Sequence, residues 1–348
     1  MTGSLVDHSL GLKQESTYNT PVTVDRFFEW LRGNSIDWDP RPIEAEGIQQ
    51  TYGGFQLTTR RVAGVGIASG SLKFELLTKS FGTLLNACLG TVTSALVGGS
   101  GSTYQQVHTP AVAAAVLPSL TIQEGIYLPD GSTTTYTYAG CTVKGFEVDV
   151  PSGGIATLMV DIDGRSLATG TAYATPSYST GTLITSALPT SGAGSIGGTM
   201  TVPTSTALGS VSGGTAIAVK SWNLKQDNAI DDGRDIVGGR NQPTIGSRNS
   251  AILKTQIEYD ATTGATLRDA QINQTNTPIL LSLTTAESLS TGVAQLQLCI
   301  PAAFINSGAI PQPTDDKVIV TDIEWKIARD TAKSAAYYLV LRTADTAA

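Results

Sequence analysis

Four carboxylates, Glu147, Asp149, Asp161 and Asp163, are the side chains best spaced for chemistry in this 348-residue chain. They alternate with apolar residues in Phe146-Glu-Val-Asp-Val150 and Leu158-Met-Val-Asp-Ile-Asp163, two runs joined by a turn-like Pro151 to Gly154. A strand points successive side chains to opposite faces, so a hairpin of these runs gathers the acids on one face and the apolar residues on the other. Paired carboxylates can serve as acid and base in glycoside hydrolysis, and Asp161-Ile-Asp-Gly164 is a fragment of a calcium-loop pattern. A solvated acidic sheet face is the commoner meaning, because no apolar pocket or partner base accompanies the acids.

Other reactive residue types are sparse. The histidines are His8 and His108, so a Ser-His-Asp site or a histidine-ligated metal has to rest on His108. Cys88, Cys141 and Cys299 lack CxxC spacing and read as buried free thiols. Gly64-Val-Gly-Ile-Ala-Ser-Gly70 lacks the GK[ST] ending of a phosphate loop and reads as a glycine-rich strand. Trp30, Trp38, Trp222 and Trp325 have no interleaved basic residues and read as core or interface anchors rather than base-stacking platforms. Asn273-Gln-Thr275 matches a glycosylation acceptor, which has no meaning without a secretion signal. No cofactor is expected.

Composition bears on partners. A net charge of -7 argues against binding nucleic acid by phosphate neutralisation, which needs clustered Lys and Arg. With 41% hydrophobic but only 15% charged residues and 37 glycines, the chain suits strands, turns and broad subunit interfaces. Residues 1–14 do not read as a secretory signal, and no apolar run is long enough to span a bilayer as a helix.

These acids must be positioned by strands. Residues 1–20 read as a polar arm, and the aromatic-rich residues 23–31 as a segment docked on the core. A long hairpin or mobile loop is expected at 46–62, a strand at 71–77, and a helix within 79–89 stopped by Gly90. Residues 80–123 and 166–219 contain no Asp, Glu, Lys or Arg, and strands are expected within the second stretch at 182–188 and 199–202. The segment 228–248, with Asp231, Asp232, Arg234, Asp235, Arg240 and Arg248, lacks a hydrophobic period and reads as a long exposed loop. Strands are expected at 250–259, 279–284 and 295–300, with a short helix at 266–272. A second hairpin, Ile323-Glu-Trp-Lys-Ile327 with Tyr337-Tyr-Leu-Val-Leu341, echoes the first and offers Glu324, Lys326 and Arg342 in place of the four acids. The halves therefore read as a duplication.

Several runs, in order, resemble the tail tube (major tail) proteins of long-tailed, siphovirus-like bacteriophages. They are Glu15-Ser-Thr-Tyr-Asn-Thr-Pro-Val-Thr23 with Arg26-Phe-Phe28, Gly70-Ser-Leu-Lys-Phe-Glu75 leading to Phe81-Gly-Thr-Leu-Leu85 and Leu89-Gly90, Tyr138-Ala-Gly-Cys-Thr-Val143, and Cys299-Ile-Pro301. The resemblance implies an all-β fold with short flanking helices: two tail-tube-type β-sandwich or barrel domains in tandem that contribute to a ring-shaped β-barrel. The expected divisions are an arm at 1–20, a first domain at 21–165, a charge-free linker or insertion at 166–212 and a second domain at 213–348.

The same resemblance implies a structural, non-enzymatic virion protein that self-assembles into stacked rings, the conduit for DNA into the host, with assembly in the host cytoplasm. Its partners are then further copies of itself, the tape measure protein, and tail terminator and tail-tip proteins, while DNA passes without specific binding and no membrane is involved. Glu147, Asp149, Asp161 and Asp163 become candidates to face the lumen. The arm at 1–20 and the 228–248 loop become candidates to reach the next ring. Two domains per chain imply homotrimeric rings, with homohexamers as the alternative. A tail-tip adhesin that binds a host surface is the competing function.

Overall fold

The computed structural model describes residues 8–44, 60–99, 101–112, 115–186, 193–231, 233, 235–237, 239–246, 250–311 and 319–346. Its principal elements are β1 (His8–Gln14), β2 (Ser35–Asp39), β3 (Ile67–Glu75), α1 (Gly82–Leu89), β4 (Gly90–Leu96), β5 (Tyr104–Pro110), β6 (Leu120–Tyr127), β7 (Thr133–Val150), β8 (Thr157–Gly164), β9 (Val219–Asp227), β10 (Ser250–Glu258), α2 (Ala261–Asn273), β11 (Ile279–Ser288), β12 (Val293–Ile300), β13 (Ala303–Ser307), β14 (Val320–Ile327) and β15 (Tyr338–Thr343). The fold is all-β with two short helices.

Twelve strands form one continuous sheet that the 18-residue β7 divides into two wings. The N-terminal half of β7 pairs with β6 and with Ser166–Thr169, and β6 continues to β1 and Arg26–Phe28. Its C-terminal half pairs with β8 on one side and β9 on the other. That half sits within an eight-stranded antiparallel wing ordered β2–β3–β8–β7–β9–β10–β14–β13. A second, seven-stranded sheet runs from Thr215–Ile217 and Ala193–Ile196 through β11, β12, β15 and β5 to β4.

The strand order within the eight-stranded wing repeats. Its first four members, β2–β3–β8–β7, come from the first half of the chain, and the next four, β9–β10–β14–β13, from the second. In both quartets the spatial order is first, second, fourth, third in chain order, and a helix, α1 or α2, follows the second strand.

The core fills the space between this wing and the seven-stranded sheet. Leu72, Phe74, Val148, Leu158, Leu224, Leu253 and Trp325 from the wing meet Leu281, Leu296, Leu298, Leu339 and Leu341 from the opposite sheet, with α1 packed at one flank. Fully burying each of these side chains is worth roughly 1.5–3 kcal/mol. The far face of the seven-stranded sheet is apolar too: Val107, Cys299, Tyr338 and Val340 lie under Met200, Val202, Leu208 and Val211 of the hairpin Thr199–Thr201/Ser210–Ser212. A charge-free sequence at 199–212 is what such a cover requires, since any ion here would be desolvated.

The predicted hairpin at 146–163 forms as read, with Phe146 opposite Val160, Glu147 opposite Met159 and Val148 opposite Leu158. The second hairpin does not exist. β14 pairs with β10 and β13, while β15 lies in the other sheet between β12 and β5, so the chain crosses the core between them. Both strands are rich in apolar residues because both sheets pack on the same core, β14 with one face and β15 with a second face covered as well. The partner of β14 that matches the β7–β8 hairpin is β13.

Further differences have physical reasons. His8–Gln14, read as part of a polar arm, is a strand whose Leu10 and Leu12 are fully buried. The expected hairpin at 46–62 has a stem, Ile43–Glu44 paired with Arg61–Val62, and residues 45–59 between them lie outside the described residues. Strand pairing occurs at Thr199–Thr201, whereas the described part of 182–188 makes only isolated bridges, Leu183 to Leu77 and Thr185 to Ile155. α2 starts earlier than the periodicity indicates because Asp260 caps it, its Oδ1 accepting from the Thr263 amide at 2.7 Å. The glycine-rich run enters β3 at Ile67, and a Cβ on Gly70 would fall 2.1 Å from the Ser35 carbonyl oxygen, so glycine there serves close strand approach.

β7 changes wings at Gly140, whose φ of 65° suits glycine, within the register shift at 138/141 and just ahead of a second at 143/145. A single buried carboxylate holds this bend. Glu15 accepts from the Gly140 amide at 2.9 Å, Ser119 Oγ at 2.7 Å, Thr121 Oγ1 at 3.0 Å and the Asn19 amide at 2.8 Å. Bonds to a charged acceptor are worth about 1.5–3 kcal/mol each and leave their donors unsatisfied when it goes. Glu15→Ala is therefore expected to lose about 3 kcal/mol, read as a lowered urea midpoint with an unchanged m-value; a shift under 1 kcal/mol would contradict this role.

Candidate functional site

The sheet face that carries the predicted acids is the side of the eight-stranded wing turned away from the core. Glu147 and Asp149 on β7 are half-buried and share one donor, Asn223 of β9, whose Nδ2 lies 2.6 Å from Glu147 Oε1 and 3.2 Å from Asp149 Oδ1. Asp161 on β8 is exposed, opposite Ser71 and Gly145. Cross-strand register carries the same face onward through Lys225 opposite Glu147, Lys254 opposite Asn223 and Glu324 opposite Lys254, where the Lys254 to Glu324 ion pair measures 3.8 Å. In the second half, lysines thus alternate with Asp227, Glu258, Asp322 and Glu324. In the first, Lys73 stands among Asp37, Asp39, Glu75 and the predicted acids. Arg342 is not on this face: it lies on β15 in the other sheet, donating to Gln105 Oε1 from Nη2 at 2.7 Å.

Asp163 is set apart from its three companions. By register it shares their face, opposite Ser69, yet it is buried. What covers it is the short hairpin Asp235–Ile236/Gly239–Arg240, from the segment read as an exposed loop. The fully buried Arg240 places Nη2 3.2 Å from Asp163 Oδ2 and Nε 3.6 Å from Asp235 Oδ1, and Asp235 also accepts from Arg41 at 3.1 Å. The structure therefore joins a residue of each predicted set in one ion pair.

The rest of that segment is anchored as well. Asn228, fully buried, donates to the carbonyls of Cys88 at 3.1 Å and Val143 at 3.0 Å, and Ile230 and Ile245 pack on Ala111 and Leu117. Two isolated isoleucines make no period, which is why sequence pattern misses them. Asp231 is exposed and accepts from the Gly233 amide at 2.8 Å; Asp232, Arg234 and Arg248 lie outside the described residues. At the tip, Ile236 and Val237 are exposed.

The groups whose ionisation is most displaced lie off the acidic face. Burial pushes the carboxyl of Glu124, on β6, up to about 7, a rise the Tyr138 hydroxyl opposes and the Asp37 charge reinforces. His108, on β5, is fully buried between Val92 and Leu339, and burial pushes it down to about 3. Neither of its ring nitrogens has a hydrogen-bond partner among the described residues, so no hydroxyl is poised for activation there. His8 stacks on Trp30 at 3.9 Å between ring centroids. All three thiols are buried and free, and burial raises each above its ordinary range. Among the described residues no group of three or more His, Cys, Asp or Glu side chains is arranged to hold a metal ion, and no helix is long and apolar enough to cross a membrane. Neither Glu15 nor Glu124 is marked by sequence pattern, because a lone acid that distant segments bury looks locally like a solvated one.

What this arrangement offers is a broad, polar, mostly acidic sheet surface rather than a cleft with a reactive group. No curated protein sequence matches the chain. A family model described as phage tail tube protein matches residues 6–327, from ahead of β1 to the last residue of β14. Matched over nearly its whole length and all-β in structure, the chain belongs to the phage tail tube protein family and is a structural component of the phage tail.

Proposed function

We propose that this chain self-assembles into rings that stack into the hollow tail tube, and that the tube carries phage DNA into the host. The observation that supports the reading best is the eight-stranded wing: two quartets of like order side by side, one face on the core and the other mostly polar, with Met159, Ile252 and Phe304 among its charges. Turned inward, that face lines the channel, and Glu147, Asp149 and Asp161 repel the phosphate backbone so that DNA slides without a binding site. Asp163, held by Arg240, contributes to the anchoring of the 228–248 segment instead. Two units per chain, divided at the 166–212 segment, make three copies sufficient for a ring of sixfold appearance. The remaining partners are the tape measure protein within the channel and the terminator and tip proteins at the tube ends, met after assembly in the host cytoplasm.

Electron microscopy of the purified protein tests the reading: hollow tubes of uniform bore are expected. Discrete particles that never elongate would count against it and favour an adhesin. Native mass measurement of a ring is expected to give three chains, and six would remove the trimer.

A further inference from the structure

We propose that the cleft framed by Glu29, Glu75 and Tyr178 binds a small aliphatic diamine, its two ammonium groups met by the two carboxylates and its methylene chain laid on the apolar wall between them. One chain supplies every side of this cleft, so binding does not require the assembled tube.

The cleft encloses about 240 Å³. Phe28 and Phe74, with ring centroids 5.0 Å apart, hold together the ends of two strands, Arg26–Phe28 and β3. Each of these aromatics is followed by an acid, Glu29 after Phe28 and Glu75 after Phe74. Successive side chains along an extended chain point to opposite faces, so two aromatics that meet in the core turn the acids beside them outward. Burial agrees: Phe28 and Phe74 are buried, Glu75 is half-buried and Glu29 is exposed. β2 pairs with β3 only as far as Ser71, so no strand lies on that side of Glu75.

Residues 178–183 form the remaining wall and are fastened at both ends. Tyr178 bridges Phe27, Leu183 bridges Leu77, and the Thr78 amide donates to the Thr182 carbonyl at 2.9 Å. A wall already in place spares a ligand the cost of ordering it. Tyr178 nevertheless stays 45% exposed, an aromatic side chain left open beside two acids. Burial, the neighbouring Tyr173 and the Glu29 charge together hold its hydroxyl above the ordinary range, which places Glu29 within electrostatic reach of this wall.

Charge and polarity define the ligand. The lining holds two acids and no Lys or Arg. Nearby cations are engaged elsewhere, Lys79 with Glu287 at 3.3 Å and Arg26 with Asp345 at 3.8 Å. Among the described residues neither Glu29 nor Glu75 makes an ion pair, with Arg32 and Lys73 or with any other cation. Two uncompensated carboxylates select positive charge, and the apolar surface of Phe27, Leu77 and Tyr178 selects a cation that is partly hydrocarbon. Mg²⁺ sheds its water reluctantly and Ca²⁺ needs more oxygen ligands than two side chains offer, so neither suits such walls. An ammonium group gains attraction from an aromatic face as well as from a carboxylate. The space is smaller than sites that take drug-sized ligands and suits a chain of a few methylenes.

Equilibrium dialysis of the wild-type chain against labelled 1,4-diaminobutane at low ionic strength tests the site. One equivalent per chain is expected, with a dissociation constant below about 1 mM. Butylamine keeps the carbon chain and loses one charge, whereas Mg²⁺ keeps the charge and has no chain; each is expected to compete at least tenfold less well. Glu75→Gln and Glu29→Gln are each expected to weaken binding at least tenfold, and Tyr178→Ser at least threefold. Asp322→Asn, the same change of charge at an exposed acid of β14, is expected to leave binding unchanged. Uptake of several equivalents that Mg²⁺ displaces as well as butylamine does, or an equal loss in Asp322→Asn and Glu75→Gln, would show that the acidic field alone holds the amine and would overturn the site. So would uptake by the wild-type chain that never saturates. Any of these failures leaves the tube reading standing, because that reading is decided by electron microscopy of the protein without ligand.

Discussion

Arg240→Ala is expected to destabilise the unassembled chain by about 3–5 kcal/mol, because it takes the guanidinium from a buried carboxylate. Arg240 and Asp163 have side chains only 1% and 3% exposed, so solvent neither screens the pair nor replaces the lost partner. Lysine is a poor substitute, since Arg240 reaches Asp163 through Nη2 and Asp235 through Nε, two directions that a single ammonium cannot serve together. The double variant Asp163→Leu/Arg240→Met is expected to recover most of the loss, because an apolar pair of similar volume avoids the desolvation cost. Urea denaturation of the two single variants and the double variant makes the comparison. A loss below 1 kcal/mol in Arg240→Ala would show that the hairpin over Asp163 is held by something else.

The second large effect is a dependence on pH that the wild-type chain conceals. Glu124 has its folded carboxyl raised from 4.5 to about 7, so its contribution to stability is full below pH 4.5 and is lost as pH rises through 7. His108 is lowered from 6.5 to about 3, so its neutral ring favours folding above pH 6.5 and costs stability as pH falls toward 3. Between pH 4.5 and 6.5 the unfolded chain binds one proton fewer at Glu124 and one more at His108, and the two slopes, each about 1.4 kcal/mol per pH unit, cancel. Glu124→Gln is expected to leave the histidine slope alone, with stability rising with pH, and His108→Gln the opposite slope. The accumulated difference across the window is about 3 kcal/mol in each variant. Parallel urea midpoints for wild type and both variants at pH 4.5, 5.5 and 6.5 would contradict it.

Much of the fold was legible where one rule decides it. Alternation at 146–150 and 158–163 yields β7 and β8, and the spacing from Phe81 to Gly90 yields α1, whose last turn Gly90 closes in the left-handed conformation. Alternation at 323–327 and the apolar run at 337–341 were equally clear, yet neither says whether two strands pair or face each other across a core. Only the seven-stranded sheet settles that Tyr338 belongs with Cys299 rather than with Ile323. The acidic face was legible from parity for Glu147, Asp149 and Asp161. Parity also places Asp163 correctly, and what it omits is the cover supplied by residues 235–240, some seventy positions further along the chain. The buried anchors Asn228, Ile230 and Ile245 were hidden for the same reason: each is a single contact with a distant segment, with no periodic neighbour to announce it.

The joint between β7 and β9 has a consequence in mass action. Both strands belong to one chain, so this ladder forms at a local concentration fixed by the connecting segment and is indifferent to how much protein is present. Contacts between copies weaken as the solution is diluted, since each must repay the lost freedom of a whole molecule. Dilution therefore leaves the two quartets of one chain together, and a single copy in solution already holds that finished joint.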